Sequence, residues 1–212
     1  MPYGYLGQNQ PNQTVSNSGV FSITDVAELQ SQGKLGGSLE LIQEQTFSNV
    51  AGVEFTAIQE NKYDVHFLQC QNIQAHTDSS RLVIQLSNDS GSTYETSNYK
   101  YAMQYGSSAG SFNEVKSTSY TAFYSSSDMG TGTNETCNVY WYLYNLGNSS
   151  KYSFSTHQLA EFDKNAQFRQ VFGGNVYTVA ETINAIKVLG QNNTSNISGT
   201  IKLYGVKQIW VT

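Results

Sequence analysis

Charge is scarce in this chain. Asp, Glu, Lys and Arg make up 13% of its 212 residues, where an ordinary soluble domain carries about 25%. Arg81 and Arg169 are the only arginines, and the formal net charge is −5. A nucleic-acid-binding surface needs clustered Lys and Arg to replace the counterions it releases. With no such cluster, no nucleic-acid partner is expected. Proline is almost absent, and both residues, Pro2 and Pro11, precede the first periodic segment. The two cysteines, Cys70 and Cys137, fall in or beside expected strands and form no spaced framework. They are expected as buried free thiols, with a disulfide between them as the alternative. His66, His76 and His157 stand too far apart for a local metal-ligand spacing, so no metal and no cofactor is expected. The N-terminus has neither the basic start nor the apolar core of a secretory signal. No run approaches the about 20 apolar residues of a membrane span. The expectation is a soluble protein made in a cytosol.

Ser, Thr, Asn, Gln and Gly fill the space that charge leaves, and Tyr leads the aromatics with 15 residues against 10 Phe. A polar, uncharged chain rich in Tyr and Thr suits exposed β-surface. Solvated helices use Glu, Lys and Ala instead. Residues 1–20 lack apolar periodicity and read as an extended arm, although Tyr3, Tyr5 and Leu6 give it something to bury. Ser22-Ile23-Thr24-Asp25 fits a capping box. Ile23, Val26 and Ala27 follow at helical spacing, and Gly33 stops the helix. From Ser38 the period becomes two. Strands are expected at Leu39–Phe47, Val53–Ile58, Tyr63–Gln71, Leu82–Ser87 and Tyr94–Gln104, with Asn88-Asp89-Ser90-Gly91 as a hairpin signal. Gly106–Asn134 breaks the rhythm and is expected as a long loop holding one weak strand near Ser117–Tyr124. Five closing strands follow: Asn138–Tyr144, Lys151–Phe162, Ala166–Thr178, Ile183–Leu189 and Ile197–Val206. The sum is about ten strands and one short helix with no βαβ alternation, hence an all-β antiparallel architecture. An arm and helix over 1–37 precede a sandwich domain over 38–212.

Candidate chemistry is thin. His66 is expected as a hydrogen-bonded sheet histidine. A hydrolase nucleophile on a strained Gly-X-Ser-X-Gly turn is not expected. Asn88–Gly91 lacks the spaced carboxylates and distal Glu of a calcium loop. Glu161 and Asp163 share one strand face and read as a solvated strand end, not as the paired acids of a glycosidase, which come from different elements. In β-alternation, Val139, Trp141 and Leu143 take one face of their strand, and Tyr140, Tyr142 and Tyr144 the other. The Tyr stripe is either a second packing surface within the protomer or an exposed platform for another chain or a glycan.

Three stretches carry a resemblance. They are Asp128-Met129-Gly130 through Tyr144, Phe172-Gly173-Gly174-Asn175-Val176 with Ile183–Leu189, and Ser198-Gly199-Thr200-Ile201-Lys202-Leu203-Tyr204-Gly205-Val206. Together with Ser18–Ser22 and Gly37–Ile42 they resemble structural proteins of tailed bacteriophages, especially those infecting marine bacteria and cyanobacteria. The resemblance spans roughly residues 38–206. It implies a jelly-roll-like β-sandwich in the virion, assembled in the host cytoplasm, with no enzymatic activity. A tail fibre, appendage or adaptor is favoured over capsid decoration, and a carbohydrate- or receptor-binding module for host recognition is the alternative. The partners expected are other virion proteins, sister subunits in a homo-oligomer (a trimer favoured) and a host surface glycan. The interface candidates are Tyr3, Tyr5, Leu6, Val20, Phe21, Tyr140, Tyr142 and Tyr144.

Overall fold

The computed structural model describes residues 23–24, 26–27, 38–191 and 195–207. The chain divides into two compact units, Met1–Glu40 and Leu41–Thr212. In the first, Ile23–Thr24 and Val26–Ala27 are helical, as the capping-box reading expects. The rest of that helix, and the candidates Tyr3, Tyr5, Leu6, Val20 and Phe21, lie outside the described residues.

Among the described residues the sandwich has twelve strands. They are β1 (Leu39–Val50), β2 (Gly52–Phe55), β3 (Val65–Ala75), β4 (Leu82–Ser87), β5 (Tyr99–Ser107) and β6 (Ser111–Tyr120). Then come β7 (Phe123–Tyr124), β8 (Cys137–Tyr144), β9 (Tyr152–Phe162), β10 (Phe168–Ala180), β11 (Ala185–Gly190) and β12 (Ile197–Val206). A larger sheet runs β1-β12-β3-β8-β9-β10-β5-β6 and a smaller one β2-β11-β4-β7. The first four strands of the larger sheet and all of the smaller one follow the strand order of a jelly roll, two Greek keys wrapped into facing sheets. The hairpins β5–β6 and β9–β10 are insertions into that roll, and both extend the larger sheet at its β8 edge. The all-β antiparallel sandwich expected from the sequence is the fold.

Alternation explains the core. On β8, Cys137, Val139, Trp141 and Leu143 turn inward and are buried. They share one buried cluster with Leu68, Leu203 and Ile201 of the same sheet and Ile84, Leu86 and Val188 of the other. Both cysteines are free and buried, as expected. Burial pushes both thiols up, Cys137 further under the fields of Glu161 and Cys70, so neither is a thiolate at neutral pH. His66 is the sheet histidine that was expected, its Nε2 2.8 Å from the Ile58 carbonyl.

The inserted hairpins create a covering problem. The smaller sheet faces β10 and β5 chiefly through its short edge strand β7. Over β10 and β5 the cover is the crossover segment 121–130, which includes the short β7. Thr121 apart, this segment is buried, and a buried backbone must pair every N–H and C=O. The inward side chains of β9 and β10 do that pairing. Asn175 Oδ1 accepts from Tyr124 N at 2.7 Å, and its Nδ2 donates to Tyr124 O at 3.2 Å. His157 Nε2 lies 3.2 Å from Ser125 O, and Glu161 Oε1 accepts from Asp128 N at 2.8 Å. Ser127 Oγ accepts from Leu82 N at 2.7 Å. β9 therefore inverts the usual pattern. Apart from Leu159, its inward residues are polar, Ser153, Ser155, His157 and Glu161, and Tyr152, Phe154 and Phe162 are outside.

Three sequence expectations are corrected here. Glu161 and Asp163 are not a solvated strand end: they are 3% and 4% exposed. Glu161 is held inward by the crossover backbone. Asp163 Oδ1 accepts from Asn165 N and Gln167 N at 2.8 and 3.0 Å and closes the β9–β10 turn. Gly106–Asn134 is not one long loop. It contains all of β6, all of β7 and the buried crossover, because polar Ser and Thr side chains there serve strand and backbone pairing. Asn88–Gly91 is not a hairpin, since β4 and β5 lie in different sheets. Its Asp89 carboxylate is consumed locally by Thr93 N, the Thr93 hydroxyl and the Ser87 hydroxyl. Those bonds hold it down to about 2.

The loop after β4 is tied to β5 by one phenol. Leu86 N donates to Tyr99 Oη at 3.0 Å, and that hydroxyl donates to Glu95 O at 3.2 Å. Tyr99 is fully buried. Tyr99→Phe leaves Leu86 N without its partner and should cost about 1–3 kcal/mol. Thermal melting would show a drop of about 3–8 °C for a chain of this size; an unchanged midpoint would refute the assignment.

Candidate binding face

The outer face of the larger sheet is built by the alternate residues that the core does not take. On β3 these are Val65, Phe67, Gln69 and Gln71; on β8, Asn138, Tyr140, Tyr142 and Tyr144. On β9 they are Tyr152, Phe154, Thr156, Gln158, Ala160 and Phe162; on β10, Phe168, Gln170, Phe172, Gly174, Val176 and Thr178. Not one is charged. Charge appears only toward the rims, as Lys202 paired with Glu44 at 3.3 Å, Lys116 paired with Glu114 at 2.6 Å, and Lys100. Large rings nonetheless meet solvent there: Phe168 is 49% exposed, Phe172 45% and Phe154 43%. Charge depletion with Tyr and Phe enrichment is the composition of an interface centre, not of a solvated surface.

Register places the rings in rows. Tyr204 pairs with Phe67, and Phe67 with Tyr142. The Phe67 ring lies 6.0 Å from Tyr204, 5.0 Å from Tyr142 and 5.9 Å from Tyr140. Tyr142 and Tyr144 stack at 6.4 Å. The same row then drops to small residues, Thr156, Gly174 and Ala102. Ridges of rings beside floors of small residues make a corrugated face with three troughs. One of about 340 Å³ lies between Phe67 and Tyr140 on one side and Gln158 and Gln170 on the other. One of about 910 Å³ runs over Gly174 between Phe154, Val176, Lys100 and Lys116. A third of about 320 Å³ lies beside Phe172. At about 4.8 Å per strand and 3.3 Å per residue, four strands of ten residues span roughly 630 Å². That approaches one side of a standard macromolecular interface, about 800 Å².

The Tyr140, Tyr142 and Tyr144 stripe is thus on the outer face, and the structure brings these three candidates together. Tyr140 donates to Gln158 Oε1, and Tyr144 Oη lies 3.1 Å from Thr156 Oγ1. The stripe flagged β8 alone. The contributions of β3, β9 and β10 required the pairing register, and the inversion of β9 was the one signal in the sequence that pointed to them.

A second constellation lies inside. Arg169 Nη1 is 3.7 Å from Asp128 Oδ2, and its Nε is 3.8 Å from Glu161 Oε1. Its guanidinium lies 3.9 Å from the Tyr105 ring centre. Lys164 and Arg81 approach Asp128 at 3.8 and 4.0 Å. Burial first of all, with the Asp128 and Asp163 charges adding to it, pushes Glu161 up to about 8, against the pull of the Asp128 N–H and Arg169. Its side chain is sealed from solvent, and neither Glu161 nor Asp128 lines any of the three troughs. The cluster fastens the crossover segment to β9 and β10. Gly106-Ser107-Ser108-Ala109-Gly110 does fit the Gly-X-Ser-X-Gly spacing, contrary to expectation. It is the β5–β6 hairpin turn, with Gly110 at φ +93°, not a strand-to-helix elbow. Its Ser108 Oγ accepts from Phe168 N at 3.1 Å. Among the described residues no group of three or more His, Cys, Asp or Glu is placed to hold a metal ion. Comparison with protein-family models, with curated proteins and with solved structures finds no match to this chain.

Proposed function

We propose that this chain is a non-enzymatic structural component of a bacteriophage particle. It is tail-associated, held in place by its N-terminal segment as part of a homo-oligomer, and it presents the outer face of the larger sheet to a partner. The observation that carries the contact role is that face: four adjacent strands whose outward residues are all uncharged and nearly half aromatic. A contiguous uncharged face carrying that many exposed rings favours an interaction site. The use of the buried charges to fasten the crossover favours a structural role over a catalytic one. The virion role is supported by the resemblance carried by residues 128–144, 172–189 and 198–206. Tyr3, Tyr5, Leu6, Val20 and Phe21 supply the docking energy, at about 25 cal/mol per Å² of apolar surface covered.

The test is a particle assembled with the chain lacking residues 1–21. Incorporation should fall at least about tenfold, the effect of losing roughly 1.4 kcal/mol or more of docking energy. Immunogold label on intact particles should sit on the tail. Undiminished incorporation removes the docking role of the arm, and label over the capsid shell removes the tail assignment.

A further inference from the structure

We propose that the outer face of the larger sheet binds a neutral polysaccharide, with one pyranose ring seated in the trough between Phe67, Tyr140, Gln158 and Gln170. This rests on the contact-face reading above and names its partner. A pyranose presents two kinds of surface: an apolar C–H face and a rim of hydroxyls that each donate and accept. Its site needs flat rings together with groups that also do both. Carboxamides are such groups, with two donors and two acceptor lone pairs each.

The trough supplies both. Phe67 and Tyr140 give the rings, and Ala160 sits low on the floor between them and the far wall. Gln69, Gln71 and Gln170 spend their amides on no other described residue, and Gln158 receives the Tyr140 hydroxyl on Oε1 while its Nε2 stays free. No Asp, Glu, Lys or Arg lines this trough, so the ring seated in it is uncharged; of the two cations lining the larger hollow, Lys100 and Lys116, Lys116 is already paired with Glu114. Its volume of about 340 Å³ lies at the lower end of the range for small-molecule sites, about 300–1,000 Å³. An apolar protein partner would bury three unpaired amides, each at a cost of about 1–3 kcal/mol. A hydroxyl-rich chain pairs them. On β9, Gln158 borders this trough and Thr156 borders the larger one over Gly174. The two hollows are therefore neighbours, and the occupant is a chain of sugars and not a single ring.

The full chain would be titrated by calorimetry with neutral hexaoses of differing linkage (maltohexaose, cellohexaose, mannohexaose, xylohexaose). Hexagalacturonate is the acidic comparison. At least one neutral hexaose should saturate with a Kd in the range of about 10 µM to 1 mM, and the acidic hexamer should bind at least about tenfold more weakly. Ala160→Trp fills the trough and should remove measurable binding. Gln170→Ala should weaken it about 3–10-fold, the loss of one hydrogen bond. Both residues face solvent, so the melting temperature should hold, which separates a lost site from a lost fold. The proposal is overturned if no neutral hexaose saturates, if hexagalacturonate binds as tightly, or if either variant binds like the parent. A parent dimer that Ala160→Trp splits into monomers would assign the face to a second copy instead. Binding by a chain that is missing from purified particles would overturn the virion role alone.

Discussion

Replacing Asn175 by Ala should lower stability by about 2–6 kcal/mol, because it orphans two buried backbone groups at about 1–3 kcal/mol each. β7 is an edge strand of the smaller sheet, and one edge of it faces β10 across the sandwich. An unpaired edge inside a protein is not tolerable, since no water reaches its N–H and C=O. Asn175 stands where the next strand would be. Its amide meets both backbone groups of Tyr124, and its Nδ2 also donates to Ser155 Oγ at 3.1 Å. The residue is 5% exposed. Asn138 gives the comparison. Its Oδ1 also accepts a backbone N–H, from Asn72 at 3.0 Å, but on the solvent side of the same sheet. There water replaces the lost acceptor, and Asn138→Ala should cost only a few tenths of a kcal/mol, as surface substitutions do. Urea unfolding of the two variants reads the difference. Equal losses would mean that the crossover backbone finds other partners, and the covering role of β9 and β10 would fail.

This dependence explains what the sequence could and could not reveal. Strand existence was legible wherever one face met the core and the other met water. Leu82–Ser87 and Ile197–Val206 came out with their observed bounds, and β8 came out with its faces assigned. The jelly-roll order of the strands was implied by resemblance and not by periodicity. Reading failed where a strand packs on irregular backbone. On β9 the inward His157 and Glu161 are polar because they bond segment 121–130, so Glu161 looked like the frayed end of a strand. The same segment, rich in Ser, looked like a surface loop. Ser and Thr hydroxyls satisfy a buried backbone as readily as they meet water, and composition does not distinguish the two uses. The outer face was half legible. Tyr140, Tyr142 and Tyr144 announced themselves by alternation, but Gln69, Gln71, Gln158 and Gln170 converge only through the pairing of β3, β8, β9 and β10. Amides at those spacings carry no signal along the chain.

The burial of Glu161 also makes stability depend on pH in an unusual direction. Its carboxyl titrates near 4.5 in an unfolded chain and is pushed up to about 8 in the fold. Between those values the folded state holds a proton that the unfolded state has released. The stabilisation linked to this group is therefore complete below about pH 4.5 and fades as pH rises toward 8. The slope approaches about 1.4 kcal/mol per pH unit within that window. His157 opposes it at the acid side. Burial against Trp141 and the crossover depresses it from 6.5 to about 4, so its stabilisation is complete above 6.5 and is lost as pH falls toward 4. Comparing the parent with Glu161→Gln at each pH cancels the histidine. Gln keeps an acceptor for Asp128 N and carries no ionisable proton. Arg169, which loses one partner, retains Asp128, Ser126 and the Tyr105 ring. The variant should be close to the parent at pH 5 and should gain on it by about 3 kcal/mol by pH 7.5, at that slope. Denaturant midpoints across that range measure the gap. A difference that stays constant with pH would show Glu161 ionised throughout, held by Arg169 as a charged pair. The cluster would then fasten the crossover by ion pairing instead of by a neutral hydrogen-bonded carboxyl.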